Sequence, residues 1–234
     1  MKPKILVTGG KGRFAKTLKE KNKKLNLIFK SKNDLNILKI SSLEKNIKTF
    51  KPKIIFHTAG LSRPMNLHEK NISKSIDLNI IGTCNVVKVC QKYNIKLVYF
   101  STGYVYEGKK GNYKEQDPVK PFNNYGLSKL AGECAVQMYK NSLILRITMT
   151  EKPFAYKKAY TNLKTNFMYH EDLVNYLPKL INKKGIINVG GKSQSVFNFA
   201  KKSNSKVKGI KASKSLKLPF NQTMNLNLLK KTIK

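Results

Sequence analysis

Short runs of consecutive apolar residues alternate, over the first two thirds of the chain, with longer stretches whose apolar residues recur at helical spacing. Ile5 to Val7, Leu25 to Phe29, Ile54 to His57, Leu97 to Ser101 and Leu143 to Ile147 read as strands. Runs this short, apolar on both faces and separated by amphipathic stretches, are the pattern of strands sandwiched between helices. They predict an α/β fold with a doubly wound parallel sheet, in which ligands gather outside the carboxyl ends of the strands. After Arg146 the alternation stops. Residues Thr148 to Met168 show no clear period, and Lys201 to Lys217 is basic and Ser-rich, a composition expected of a mobile segment.

Two stretches at predicted strand ends carry chemistry. The first strand runs into Thr8-Gly9-Gly10-Lys11-Gly12-Arg13-Phe14-Ala15, and Leu18 continues a helical pattern. A glycine-rich turn between a strand and a helix lets the backbone approach a pyrophosphate, and the helix N-terminus offers free N–H groups and partial positive charge. Gly9, Gly12, Arg13 and Phe14 are the cofactor-binding candidates there. The second stretch, Tyr99 to Glu133, reads as a strand ending in Ser101-Thr102, a polar turn-rich segment, and a helix that places Tyr125 and Lys129 four residues apart on one face. A hydroxyl, a phenol and an ammonium at one strand end suit proton transfer to a carbonyl, with Lys129 as the cation that brings the phenol toward neutrality.

Further candidates lie between these stretches. A ribose 2′-hydroxyl is commonly held by an acidic residue after the second strand, whereas a 2′-phosphate requires cations. Lys30-Ser31-Lys32, with Arg13 in the glycine turn, favours NADP(H), with NAD(H) the alternative. Ala59 and Gly60, after the third strand, are small enough for a cofactor to lie against the backbone. Arg63 just beyond is a candidate for an anionic substrate. His57 reads as a packed strand residue.

These segments, with Asn79-x-x-Gly82, together resemble the extended short-chain dehydrogenase/reductases. Ser-Thr-Gly-Tyr-Val-Tyr-Glu-Gly (101–108) and Tyr-Gly-Leu-Ser-Lys-Leu-Ala-Gly-Glu (125–133) are most similar to the dTDP-4-dehydrorhamnose reductase group, and the likeness covers nearly the whole chain. The resemblance implies a Rossmann core over 1–147 and a small C-terminal substrate lobe over 148–234, reduced relative to the family, with segments returning to the core. It implies catalysis by Thr102, Tyr125 and Lys129, with Tyr125 and Lys129 also touching the cofactor, Asp34-Leu35 near the adenine, and Asn79 supporting the lysine. Tyr169 to Asp172 would begin a helix of the second lobe. Gly103 and Tyr104 would face the substrate. Sister dehydratases carry an Asp-Glu pair after the threonine and the reductases often an Asp, so Gly103 disfavours water elimination. The implied reaction is reduction of the 4-keto group of a nucleotide-linked deoxysugar, as in polysaccharide biosynthesis. A 4-epimerase and a non-catalytic nucleotide-sugar or regulatory subunit are the alternatives.

Composition changes this picture in one respect. The formal net charge is +35 over 234 residues, and nearly all of the excess is lysine, since only Arg13, Arg63 and Arg146 are arginine. Such a charge predicts non-specific adhesion to polyanions, but base readers and bidentate phosphate binders favour arginine, so a dedicated nucleic-acid role ranks low. No segment approaches the length of a membrane span, and the first strand begins too early to leave room for a signal peptide. Cys84, Cys90 and Cys134 form no metal-binding spacing and read as buried reduced thiols of a cytoplasmic protein, a monomer or a homodimer.

Overall fold

The computed structural model describes residues 2–234 except 214, 216 and 217. Six parallel strands form the central sheet: β1 (Lys4–Thr8), β2 (Asn26–Lys30), β3 (Ile54–His57), β4 (Lys96–Thr102), β5 (Ser142–Ile147) and β6 (Gly185–Val189). All five strands expected from the pattern are present. Their order across the sheet is β2-β1-β3-β4-β5-β6, so the direction of winding reverses between β1 and β3 and opens a crevice at their carboxyl ends.

Side-chain alternation explains why the strands read as unbroken apolar runs. Ile5, Val7, Phe56, Val98, Phe100, Leu143 and Leu145 enter one core layer, while Leu6, Ile55, Leu97, Tyr99 and Ile144 enter the layer on the opposite face. The first layer is closed by α1 (Arg13–Lys21), through Phe14, Ala15 and Leu18. The second is closed by α2 (Ile40–Phe50), α3 (Gly82–Lys92) and α4 (Asn124–Gln137), through Leu43, Ile47, Val86, Val89 and Val136. Each such Val, Leu, Ile or Phe side chain contributes about 1.5–3 kcal/mol on full burial.

Beyond β5 the chain both returns to the core and forms short ladders apart from it. Residues His170–Leu180 form α5, with Glu171 and Asp172 in its first turn and Asp172 Oδ2 accepting from the Tyr169 N–H at 2.9 Å. This helix does not begin a second lobe. Its Leu173, Val174, Leu177 and Leu180 join the first core layer beside α1, and α6 (Asn227–Ile233) follows it there through Leu229. The segment without a period forms two- and three-residue ladders: Met149–Thr150 on Met168–Tyr169, Lys158–Tyr160 on Lys208–Ile210, and Lys164–Thr165 on Gln194–Ser195. A separate small cluster of Phe154, Ala159, Phe199, Ala200 and Val207 packs beneath them. Of the basic stretch 201–217 expected to be mobile, Lys208–Ile210 is a strand, and 214, 216 and 217 lie outside the described residues.

The thiols also differ from expectation. Cys90 is buried, but Cys84 is half-buried and Cys134 exposed, and all three are free. No helix among the described residues is long and apolar enough to cross a membrane.

Candidate active site

The glycine turn closes tightly on the loop after β3. Gly9 adopts φ +67°, and a Cβ there would come within 2.8 Å of the Ala59 Cα, so both the backbone conformation and the contact require glycine. Gly12 donates to the Gly9 carbonyl at 2.8 Å and precedes α1, whose N-terminus has neither a side-chain cap nor an acidic residue in its first turn. The first N–H groups of that helix therefore remain available to an anion. Phe14 offers only such an N–H, because its ring is core, 5.3 Å from Phe100 and 5.6 Å from His170. Leu61, next to Gly60, is held by Asn79, which is 1 % exposed. Its amide accepts from Leu61 N at 2.8 Å and donates to Leu61 O and to Ser128 Oγ, each at 2.9 Å. Asn79 thus fastens the cofactor-side loop to α4 from a π-turn over Ile76–Ile81, and its side chain is fully used within the protein.

The structure does not assemble Lys30, Lys32 and Arg13 into one cluster. Lys30 lies over the Phe50 ring at 4.0 Å and Lys32 is exposed, whereas Arg13 turns the other way, toward Ser62 and Glu151. Asp34 closes a local turn, accepting from Ser31 N at 3.0 Å and Ser31 Oγ at 2.6 Å, and Leu35 is buried in the second core layer.

At the end of β4 the Tyr125 phenol meets the Thr102 hydroxyl, while Lys129 lies one turn further along α4. Asn123 caps α4 by accepting from Gly126 N at 2.8 Å, and Glu69 accepts from the Asn124 backbone at 3.2 Å, which fixes the first turn that carries Tyr125. Burial pushes the Tyr125 phenol up to about 12. The Thr102 hydroxyl opposes that shift, Tyr104 adds to it, and Arg63 and Arg13 pull the other way. Lys129 is outweighed by these groups. Its ammonium lies 4.0 Å from the Tyr99 ring centroid and is drawn down to about 7 by burial, with Glu133 holding it up. The sequence places the cation on the correct face of α4, but the fold turns it onto Tyr99. The phenol accordingly keeps its proton through the neutral range, the state a proton donor needs.

Tyr104 meets Tyr125 edge-on at 5.9 Å beside Gly103. A Cβ at Gly103 would come within 2.7 Å of Thr148 Oγ1 and 3.3 Å of Met224 Sδ, so these two side chains fill the space where a longer residue would project. His57 is enclosed, its ring nitrogens 3.0 Å from Thr8 Oγ1 and 3.1 Å from Thr83 Oγ1, as a packed strand residue should be.

Sequence reasoning missed the polar frame around this trio. Glu133, one turn beyond Lys129, accepts from Arg146 Nη2 at 2.6 Å and Nε at 3.1 Å, and from Ser101 Oγ at 2.6 Å. Arg146 continues to Tyr106 at 2.8 Å, whose hydroxyl lies 2.9 Å from Asn188 Oδ1 on β6. His68 places its ring 5.1 Å from Tyr125 and bonds Ser75 at 2.8 Å. Glu151 bridges Arg13 and Arg63. One signal was present: in a chain that otherwise uses lysine, all three arginines lie in this region, where a planar fork is needed.

A family model described as RmlD substrate binding domain matches residues 2–167. The chain belongs to that family. Among solved structures it is similar to a dTDP-4-dehydrorhamnose reductase from Bacillus anthracis str. Ames in complex with NADP, at 28% identity and a TM-score of 0.88, covering 98% of this chain and 92% of that one. Among curated relatives of this RmlD-family chain, dTDP-4-dehydrorhamnose reductase of Aggregatibacter actinomycetemcomitans is 28% identical over 63% of this chain and 51% of its own length. Methionine adenosyltransferase 2 subunit beta of Xenopus laevis is 34% identical over 48% of this chain and 34% of its own. The aligned part thus spans a third to a half of these curated relatives.

Proposed function

We propose that this RmlD-family protein is an NADP(H)-dependent reductase of the 4-keto group of a nucleotide-linked deoxysugar, an oxidoreductase of the extended short-chain dehydrogenase/reductase type. The observation that carries the reading is the meeting of the Thr102 and Tyr125 hydroxyls at the end of β4, with Lys129 one turn on along the same helix. The crevice fits a dinucleotide: Gly9 approaches Ala59 too closely for any side chain, and the N-terminus of α1 is uncapped. When bound, the nicotinamide supplies a hydride. The chain's residues do the rest. Thr102 donates to the substrate carbonyl, Tyr125 gives its phenolic proton to the oxygen, and Lys129, cationic below about pH 7, holds a hydroxyl of the cofactor. Gly103 offers no ionisable group for removing a proton from carbon, so reduction is favoured over elimination.

NADP(H) is preferred in this reading because Ser31 and Lys32 flank the end of β2 without an acid free to bind a ribose hydroxyl, Asp34 being engaged by Ser31. The likeness to the reductase solved with NADP supports the same choice. The substrate lobe is the small cluster around Phe154 and Phe199, and the free thiols fit a reducing compartment, the cytoplasm.

The test is NADPH absorbance on mixing the protein with a panel of nucleotide-linked 4-keto sugars. Oxidation with one or more of them supports the reductase. A second reading, a regulatory subunit that binds without turnover, is favoured by the likeness to methionine adenosyltransferase 2 subunit beta. It predicts calorimetric NADPH binding with no oxidation by any member of the panel.

A further inference from the structure

One carboxylate joins the two sides of the crevice. Glu151, three residues beyond the Gly103 neighbour Thr148 and just after the Met149–Thr150 strand, has Oε1 3.1 Å from Arg13 Nη1 and Oε2 2.9 Å from Arg63 Nη1. Thr150 steadies the arrangement, its hydroxyl accepting from Arg63 Nη2 at 3.3 Å and lying 3.2 Å from Glu151 Oε2, while Arg13 also donates to Ser62 at 3.2 Å. Arg13 is the first residue of α1, so its guanidinium reaches out from beside the free N–H groups of that helix. His170, 5 % exposed, has an Nδ1 without a hydrogen-bond partner and packs edge-on against Phe14 at this same end. Two guanidinium groups therefore share a single carboxylate, and the local charge remains positive.

We propose that Glu151 is an internal competitor for the anionic part of the ligand: its carboxylate stands between Arg13 and Arg63 where a phosphate of a bound dinucleotide would pair, and binding exchanges one for the other. The inference rests on the dinucleotide reading of the crevice. Guanidinium forks match phosphate oxygens bidentately, and a diphosphate brings more charge and more acceptor atoms than one carboxylate, so the exchange runs toward the ligand. The pairs to be broken are half-exposed, Arg13 at 45% and Glu151 at 27%, which keeps the barrier low. An ion pair of this kind is worth up to about 1 kcal/mol, a factor of about five in affinity.

The experiment is calorimetric titration of NADPH into the full chain and its variants, each checked for folding by thermal melting. Glu151→Gln removes the competing charge and is expected to lower the NADPH Kd by about three- to fivefold. Glu151→Asp, too short to span both arginines, is expected to give a smaller gain and serves if the Gln variant does not fold. In an Arg13→Gln background the gain from Glu151→Gln should shrink, because the Arg13 pair no longer exists to be released. Unchanged or weaker NADPH binding in both Glu151 variants, with the wild type binding normally, overturns the competitor and leaves the dinucleotide reading standing. Absence of NADPH and NADH binding by wild type and variants alike overturns both.

Discussion

His57 sits at the end of β3 with both ring nitrogens engaged and 1 % of its surface exposed, and burial lowers its pKa to about 3, the nearby Lys129 adding to the shift. The unfolded chain takes up this proton near pH 6.5 and the folded one does not. Stability is therefore fully present above pH 6.5 and is lost as pH falls toward 3. Between pH 7 and pH 5 the wild type should lose about 2 kcal/mol through this residue. His57→Gln, which can still bond Thr8 and Thr83, should lose less over the same interval when both are unfolded with urea at the two pH values. Equal losses would assign the acid sensitivity elsewhere. At this scale the sequence was legible where backbone spacing decides the outcome. Tyr125 and Lys129 fall on one face of a helix because they are four apart. Spacing does not determine which neighbour a long side chain's tip meets, so the partnership of Lys129 with Tyr99, and the turn of Arg13 away from Lys30 and Lys32, appear only in the fold.

The elements show the same division. Strands that bury both faces announce themselves as apolar runs, and all five were readable to within a residue or so at either end. The ladders after β5 are too short to carry a period, and their partners lie tens of residues apart, as Lys158–Tyr160 and Lys208–Ile210 do. α5 was readable as a helix, but its place against α1 follows from Leu173, Val174 and Leu177 matching the first core layer, a match visible only after the sheet is built. What couples α4 to the sheet is the Glu133–Arg146 pair, 0 % and 3 % exposed. Removing one member of a buried pair leaves the other charge uncompensated. Glu133→Ala should thus destabilise the fold by roughly 3–5 kcal/mol. Urea unfolding measures this, and a loss below about 1 kcal/mol would mean that Tyr106 and the Glu115 carbonyl satisfy Arg146 unaided.

For the whole molecule, the lysine excess and the crevice make separate demands. A net charge of +35 should hold the protein weakly to any polyanion and release it steeply as salt rises. Binding to unrelated DNA duplexes should be equal and largely lost between 50 and 300 mM salt, roughly as counterion release dictates, and sequence preference persisting at the higher salt would assign the charge a specific role. The proposed reduction depends on Tyr125 as a proton donor, and that is the central claim. It is tested most directly by following NADPH absorbance with a nucleotide-linked 4-keto deoxysugar, in parallel for the wild type and Tyr125→Phe, with calorimetric NADPH binding measured on both. The account predicts one NADPH oxidised per sugar reduced by the wild type, a rate lower by roughly 10²-fold or more in Tyr125→Phe, and NADPH affinity little changed. Turnover by Tyr125→Phe at the wild-type rate, or interconversion of sugars without net NADPH oxidation, would contradict it.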